Sequence, residues 1–114
     1  MLIISIILFL IAAGFGLVVL TSILQNKPTP KCFVYTHGGV AAIALLMVIY
    51  YVFEHPDHAP IASLVLFLIA AAGGFTLFFI DFKGKKIPKW LALVHPVIAV
   101  CGVLALAVFI LGQV

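Results

Sequence analysis

Two histidines lie inside stretches that are otherwise apolar enough to cross a membrane. His37 follows the start of the stretch CFVYTHGGVAAIALLMVIYYVF, and His95 has a similar place in the last apolar stretch. An ionisable side chain at membrane depth is costly, and such residues usually face the bundle interior and mark ion, proton or cofactor sites. The first question is therefore whether these two imidazoles face each other, and what they could hold between them.

The composition defines the class of protein before any motif does. The chain of 114 residues is 67% hydrophobic and 8% charged, with a net charge of +3. A soluble domain carries about 25% charged residues. There is no Gly-rich phosphate loop and no aromatic-basic surface for nucleic acid. We therefore predict one integral membrane domain over residues 1–114 that contacts the lipid bilayer and binds no nucleic acid.

Four apolar stretches, each near the length of about 20 residues that crosses a bilayer as a helix, predict the fold. Loops with prolines and polar residues separate them. The first stretch is too long for a signal peptide core and has no preceding Lys or Arg, which favours a retained helix. The prediction is an all-α, up-down-up-down four-helix bundle with short loops. No period indicates a longer repeat array, although each half reads as a hairpin. The predicted spans are 2–24, 33–53, 61–80 and 89–111.

The lysines predict the orientation. The second loop contains Glu54 and Asp57 and no Lys or Arg, whereas the first and third loops contain all six lysines. Short cytoplasmic loops are enriched in Lys and Arg. We therefore expect the lysine loops in the cytoplasm, and both termini and the 54–60 loop outside, in the periplasm of a bacterial inner-membrane protein. The lysines are Lys27, Lys31, Lys83, Lys85, Lys86 and Lys89.

This topology places the two histidines at comparable depth. The second and fourth spans run parallel, and at about 1.5 Å per residue His37 and His95 lie roughly 6 and 10 Å inside the lysine boundary. Two such imidazoles could ligate the two faces of a haem iron. Small residues would let a flat macrocycle approach the backbone, and lysines could meet its propionates. The candidate haem-facing residues are Gly38, Gly39, Gly73 and Gly74, and the candidate propionate contacts are Lys85, Lys86 and Lys89.

A four-helix membrane bundle with histidines on its second and fourth spans resembles the core of transmembrane b-type cytochromes. That group includes the ascorbate-reducible cytochromes and the b subunits of quinol-oxidising complexes. The segments His37-Gly38-Gly39 and His95-Pro96 carry the resemblance. The resemblance implies haem b with two axial histidines and a function in electron transfer or haem handling. It also implies that electrons are exchanged with a quinone, a small reductant or a redox partner subunit. The third span has no histidine, so at most one haem per chain is implied.

Other functions remain open at this point. The histidines could handle a metal ion or protons in a small transporter or assembly factor. They could also be structural, with His37 reaching headgroup water and His95 satisfying backbone groups freed by Pro96. In that case the chain is a structural subunit without a cofactor. Small multidrug exporters match the length but depend on an acidic residue in the first span, and none is present here. The sequence predicts neither a catalysed reaction nor an oligomeric state, and a homo-oligomer is compatible with it.

A second cluster of potential ligands lies in the predicted outer loop. Glu54, His55, Asp57 and His58 occur within five residues. Imidazole and carboxylate together suit Zn²⁺, Cu²⁺ or Ni²⁺. A solvated polar turn would have the same composition, and ligand number and geometry decide between the two. A metal site in this loop is the weaker of the two site hypotheses.

Overall fold

Four antiparallel helices make up almost the whole chain. The computed structural model describes residues 1–113. Each helix is long and apolar enough to cross a membrane. The bundle measures 44 × 20 × 19 Å, and its long dimension matches the roughly 40–45 Å of a bilayer with its headgroups. The predicted all-α, up-down-up-down bundle is confirmed. The helices are α1 (Leu2–Leu24), α2 (Lys31–Glu54), α3 (Ile61–Phe82) and α4 (Lys89–Leu111).

The helix ends follow from local sequence. A proline directly precedes each of the last three helices, at Pro30, Pro60 and Pro88. The fixed φ of proline suits a helix start, where its missing N–H would have no partner. Helix α2 begins two residues before and ends one residue after its predicted span, and α3 ends two residues after its predicted span. We call the end with the 25–30 and 83–88 loops the lysine end, and the end with both termini the terminal end.

The distribution of apolar side chains is that of a membrane protein. Large side chains are exposed along every helix, for example Leu17 at 63%, Leu46 at 63% and Phe75 at 64%. Several buried positions are alanines instead, such as Ala12 and Ala44. A soluble monomer rarely exposes so large a continuous apolar surface. The bundle is therefore an integral membrane protein whose outer surface contacts lipid.

The bundle consists of two closely packed hairpins. Helix α1 packs along α2 and α3 packs along α4, while the α1–α4 contact is smaller and the α2–α3 contact is the smallest. In the first hairpin the buried Ser5 hydroxyl donates a hydrogen bond of 2.9 Å to the carbonyl of Ala44. Such interhelical bonds in membranes contribute about 0.6 kcal/mol on average. The α2–α3 seam is thus the least tightly packed side of the bundle.

The two hairpins are copies of one sequence pattern, displaced by 58 positions. Residues 5–16 read SIILFLIAAGFG and residues 63–74 read SLVLFLIAAAGG. The loops repeat Pro-Lys, and the following helices repeat a single histidine at His37 and His95. The sequence prediction noted two hairpins but missed this duplication. Its signal includes the identical run LFLIAA at residues 8–13 and 66–71.

The two turns at the lysine end confirm that the copies are structurally equivalent. Asn26 has a φ of 58° and Gly84, at the matching position, has a φ of 72°. Asn and Gly are the residues that adopt this left-handed conformation most readily. The backbone hydrogen bonds that close the ends of α1 and α3 also join matching residues. Because α1 and α3 lie at opposite corners of the bundle, as α2 and α4 do, the hairpins are related by an approximate two-fold rotation about its long axis.

Candidate functional site on the bundle axis

His37 and His95 meet across the approximate two-fold axis. Each lies six residues after its helix begins, at Lys31 in α2 and at Lys89 in α4. Both are therefore about 9 Å inside the lysine end. Helices α2 and α4 occupy opposite corners of the bundle, and the imidazole centroids are 6.2 Å apart with their planes at 88°. The structure brings these two predicted residues together at equal depth.

Each imidazole is anchored by the preceding helix of its own hairpin. Nδ1 of His37 donates to the carbonyl of Ala12 at 2.7 Å. Nδ1 of His95 donates to the matching carbonyl of Ala70 at 2.8 Å. Because a carbonyl only accepts, Nδ1 carries the proton in both rings and Nε2 keeps its lone pair. Histidines that ligate metals show this arrangement, in which one nitrogen is held by a carbonyl and the other binds the metal.

A glycine makes room for each ring. A Cβ atom at Gly16 would lie 2.9 Å from Cε1 and Nδ1 of His37, and one at Gly74 would lie 3.0 Å from Cε1 of His95. Carbon atoms in contact are normally about 3.5–4.0 Å apart. Any larger residue at these positions therefore pushes the imidazole away. Gly16 was not among the predicted site residues, and the duplication is the sequence signal that would have found it.

The predicted glycines divide into two groups. Gly73 and Gly74 lie beside His95, where a Cβ at Gly73 would be 3.8 Å from the ring. Gly38 and Gly39 are exposed, and no protein atom lies within 4 Å of a Cβ built on either. The glycines that contact the imidazoles are thus on α1 and α3, whereas those on α2 face away from the protein.

Between the histidine pair and the terminal end, the axis is closed by apolar side chains. Phe9 and Phe67, which are equivalent in the two hairpins, stack with centroids 4.0 Å apart and planes at 8°. Val48 and Leu106, another equivalent pair, are both 0% exposed. In the described part of the chain, the buried serine hydroxyls at this level already donate to carbonyls. The described axis therefore offers no polar route from the histidines to the terminal end.

At the lysine end, a polar clamp joins α2 to α3. The carboxylate of Asp81 accepts from Nζ of Lys31 at 2.6 Å and from the hydroxyl of Thr29 at 2.7 Å. The edge contact of Tyr35 with Phe78, with centroids 6.1 Å apart, lies in the same seam. The position matching Asp81 in the first hairpin is Ile23. This clamp is therefore a departure from two-fold symmetry, as is the smaller size of the α2–α3 contact relative to the α1–α4 contact. The clamp engages the acidic residue nearest the lysine boundary.

The predicted propionate contacts do not all lie together. Lys85 and Lys86 line an open cavity between the two lysine loops, whereas Lys89, at the start of α4, lines a second open cavity together with Lys86. Their contact with a haem stays a prediction.

The four candidate ligands at the terminal end are not gathered by the structure. His55 stacks on Tyr51 with centroids 4.0 Å apart, and its Nδ1 lies 3.1 Å from the carbonyl of that residue. The ring of His58 lies 4.8 Å from that of Phe109. Glu54 and Asp57 are exposed. No group of three or more His, Cys, Asp or Glu side chains suited to a metal ion occurs within residues 1–113. A metal site in this loop stays a prediction.

The chain matches no protein-family model, no curated protein and no solved structure. The fold and the site define an integral membrane four-helix bundle, made of a duplicated hairpin, with one histidine from each copy on the axis. The resemblance to b-type cytochromes stays a prediction, and the function has to be argued from the geometry of the pair.

Proposed function

We propose that the chain binds one b-type haem between His37 and His95 and acts in electron transfer or haem handling. The observation that carries this proposal is the 6.2 Å between the ring centroids of two carbonyl-anchored imidazoles. Imidazole nitrogens bind metals at about 2.0–2.1 Å, which puts the centroids of two imidazoles on opposite sides of one ion roughly 6 Å apart. The spacing thus suits two axial ligands of a single metal centre.

Ligand number favours haem over a bare cation. A structural Zn²⁺ takes four ligands from the protein. No third His, Cys, Asp or Glu joins the pair in the described part of the chain. A haem iron already has four ligands from its macrocycle, so two imidazoles complete its coordination. The donor set of the pair therefore fits a haem and leaves a bare cation two ligands short.

The residues around the pair have defined roles in this proposal. The carbonyls of Ala12 and Ala70 hold each ring in one tautomer and increase the basicity of Nε2. Gly16 and Gly74 let the rings lie against the helix backbone. The apolar axis keeps water away from one side of the site. When bound, the haem supplies a one-electron couple whose potential depends on its axial ligands and its burial.

The orientation proposed from the lysines puts the site near the cytoplasmic face of a bacterial inner membrane. The termini and the 54–60 loop would then be periplasmic. The pair is about 9 Å from the lysine end, which leaves roughly 20 Å of the hydrocarbon core without a second cofactor site. Electrons would therefore be exchanged with a membrane quinone or a cytoplasmic redox partner, and would not cross the membrane through this chain alone.

Transport of protons or metal ions is supported less well. A transporter needs a polar route from its site to both faces of the membrane, and the stacked Phe9 and Phe67 close the axis on one side of the pair. A purely structural role is also supported less well, because it would not require the two histidines to share one depth or to have matching carbonyl anchors.

An absorption spectrum of the detergent-purified chain tests the proposal. The expected result is a sharp Soret band with split low-spin bands and one haem per chain, either as isolated or after reconstitution with haem. The matched control is the chain that carries both His37→Ala and His95→Ala. A well-folded, colourless protein that takes up no more haem than this control refutes the proposal.

A further inference from the structure

Three lysines line an open cavity of about 400 Å³ at the lysine end, where the first and third loops meet. Lys27 comes from the first loop, and Lys85 and Lys86 come from the third. Ile23 and Ile87 contribute apolar walls. The volume lies within the range of about 300–1,000 Å³ that small-ligand sites occupy. The cavity is distinct from the histidine pair, which does not line it.

The duplication explains how lysines from two loops reach one cavity. Lys27 directly follows Asn26, and Lys85 directly follows Gly84, in the two equivalent turns. In both turns the N–H of the lysine bonds to a carbonyl in the last turn of the preceding helix. Their backbones are therefore held in the same way, and the two-fold relation of the hairpins presents both residues to the space between the loops.

The positive charge of the cavity is not neutralised by the protein. Asp81 is the acidic residue in its lining, and its carboxylate is already bonded to Lys31 and Thr29. Among residues 1–113 the Lys31–Asp81 pair is the one salt bridge. The three cavity lysines thus have no acidic partner in the described part of the chain. An anion in this open cavity would have lysines of both loops beside it.

We propose that this cavity binds a phosphate group, carried by an anionic phospholipid headgroup or by a soluble phosphate ester. The cavity lies at the ends of α1 and α3, at the level where lipid phosphates occur in a bilayer. Basic clusters next to transmembrane helices attract anionic lipids. The apolar walls, Ile23 and Ile87, suit the acyl chains that adjoin a lipid headgroup. The proposal does not require a bound haem, although Lys85 and Lys86 are also the candidate propionate contacts.

The test is native mass spectrometry of the intact detergent-purified chain, titrated with phosphatidylglycerol, phosphatidylcholine or glycerol phosphate. The test variant carries Lys27→Gln and Lys85→Gln. The single variant Lys85→Gln is compared with the control Lys83→Gln, which also removes one charge from the third loop but at a residue that does not line the cavity. One phosphatidylglycerol per chain should be retained, and its affinity should fall roughly tenfold or more in the double variant, since each basic residue near an anionic surface contributes about 1 kcal/mol.

Each outcome decides the proposal. Selective retention of phosphatidylglycerol assigns the phosphate to a lipid, and lysine-dependent binding of glycerol phosphate alone assigns it to a soluble ester. Equal retention of phosphatidylcholine overturns the site. A loss in Lys83→Gln equal to that in Lys85→Gln also overturns it, because the attraction is then spread over the whole lysine end. His37→Ala should retain phosphatidylglycerol or glycerol phosphate as the unmodified chain does, whether or not this variant binds haem.

Discussion

His37 and His95 are the same residue in two copies of one hairpin, and their rings meet with centroids 6.2 Å apart on the axis that relates the copies. Each Nδ1 is bonded to the carbonyl 25 residues earlier in its own hairpin. A duplicated hairpin with one anchored histidine thus produces a symmetric pair of potential ligands. A single hairpin supplies one imidazole, and the site needs both.

Removal of one imidazole should open one axial position of the proposed haem. His37→Ala and His95→Ala should each convert a low-spin spectrum to a five-coordinate or weakly six-coordinate one that takes up carbon monoxide. Added imidazole should restore the low-spin bands, because axial-ligand identity determines haem electronics. The double variant should lose tight binding. The measurement is a set of absorption spectra with and without imidazole, and a low-spin spectrum that survives both single substitutions rules out this ligation.

The glycines against the rings should be specific requirements of the pair. Gly16→Ala and Gly74→Ala place a methyl group about 3 Å from an imidazole, so each should displace a ring and weaken haem binding or shift its spectrum. Gly14→Ala is the matched control, since nothing lies within 4 Å of its Cβ. It should leave the spectrum unchanged, and Ala favours a helix over Gly by about 0.8–1.0 kcal/mol. Identical spectra for all three variants would contradict the assigned positions of the rings.

The stacked phenylalanines should depend on a third glycine. A Cβ at Gly102 would lie 2.9 Å from the ring of Phe67, which is itself stacked on Phe9. Gly102→Ala should therefore destabilise the bundle by about 1–3 kcal/mol, as overpacked cores are. Thermal unfolding in detergent measures the effect. Gly39→Ala, on an exposed face with open space around it, is the control, and an equal melting temperature for the two variants would argue against this packing.

The proposed orientation can be tested by labelling from one side. In a chain whose native cysteines have been replaced, Lys85→Cys should be protected from an impermeant thiol reagent in intact cells, and His58→Cys should react. Short lysine-rich loops remain in the cytoplasm. The reverse pattern would move the histidine pair, and any haem it holds, to the opposite face.

The terminal-end loop provides a separate metal test. If His55 and His58 hold a metal ion, replacement of both by Ala should remove bound zinc, copper or nickel as measured by elemental analysis, and should not change a haem spectrum. Absence of metal above background in the unmodified chain would end that hypothesis. Loss of haem in the double variant would instead mean that the cofactor is bound at the terminal end.

The spans and the depth of the histidines could be predicted because they depend on local properties. A run of about 20 apolar residues crosses a bilayer as a helix whatever its neighbours are. The rise per residue predicted depths of roughly 6 and 10 Å for His37 and His95, and the structure places both at about 9 Å because α2 begins two residues earlier than predicted. The composition likewise required lipid around the bundle. These features need no knowledge of which helices touch.

Tertiary structure decided which groups surround the histidines. Successive residues of a helix point in different directions, so Gly38 and Gly39 face away from the bundle although they directly follow His37. The contact that holds its ring comes instead from Gly16 and the carbonyl of Ala12 on α1. At the terminal end, His55 and His58 packed against aromatic rings rather than converging with the carboxylates. Neighbours in sequence share a loop or a helix turn, but helix rotation and packing across the bundle axis determine which side chains meet.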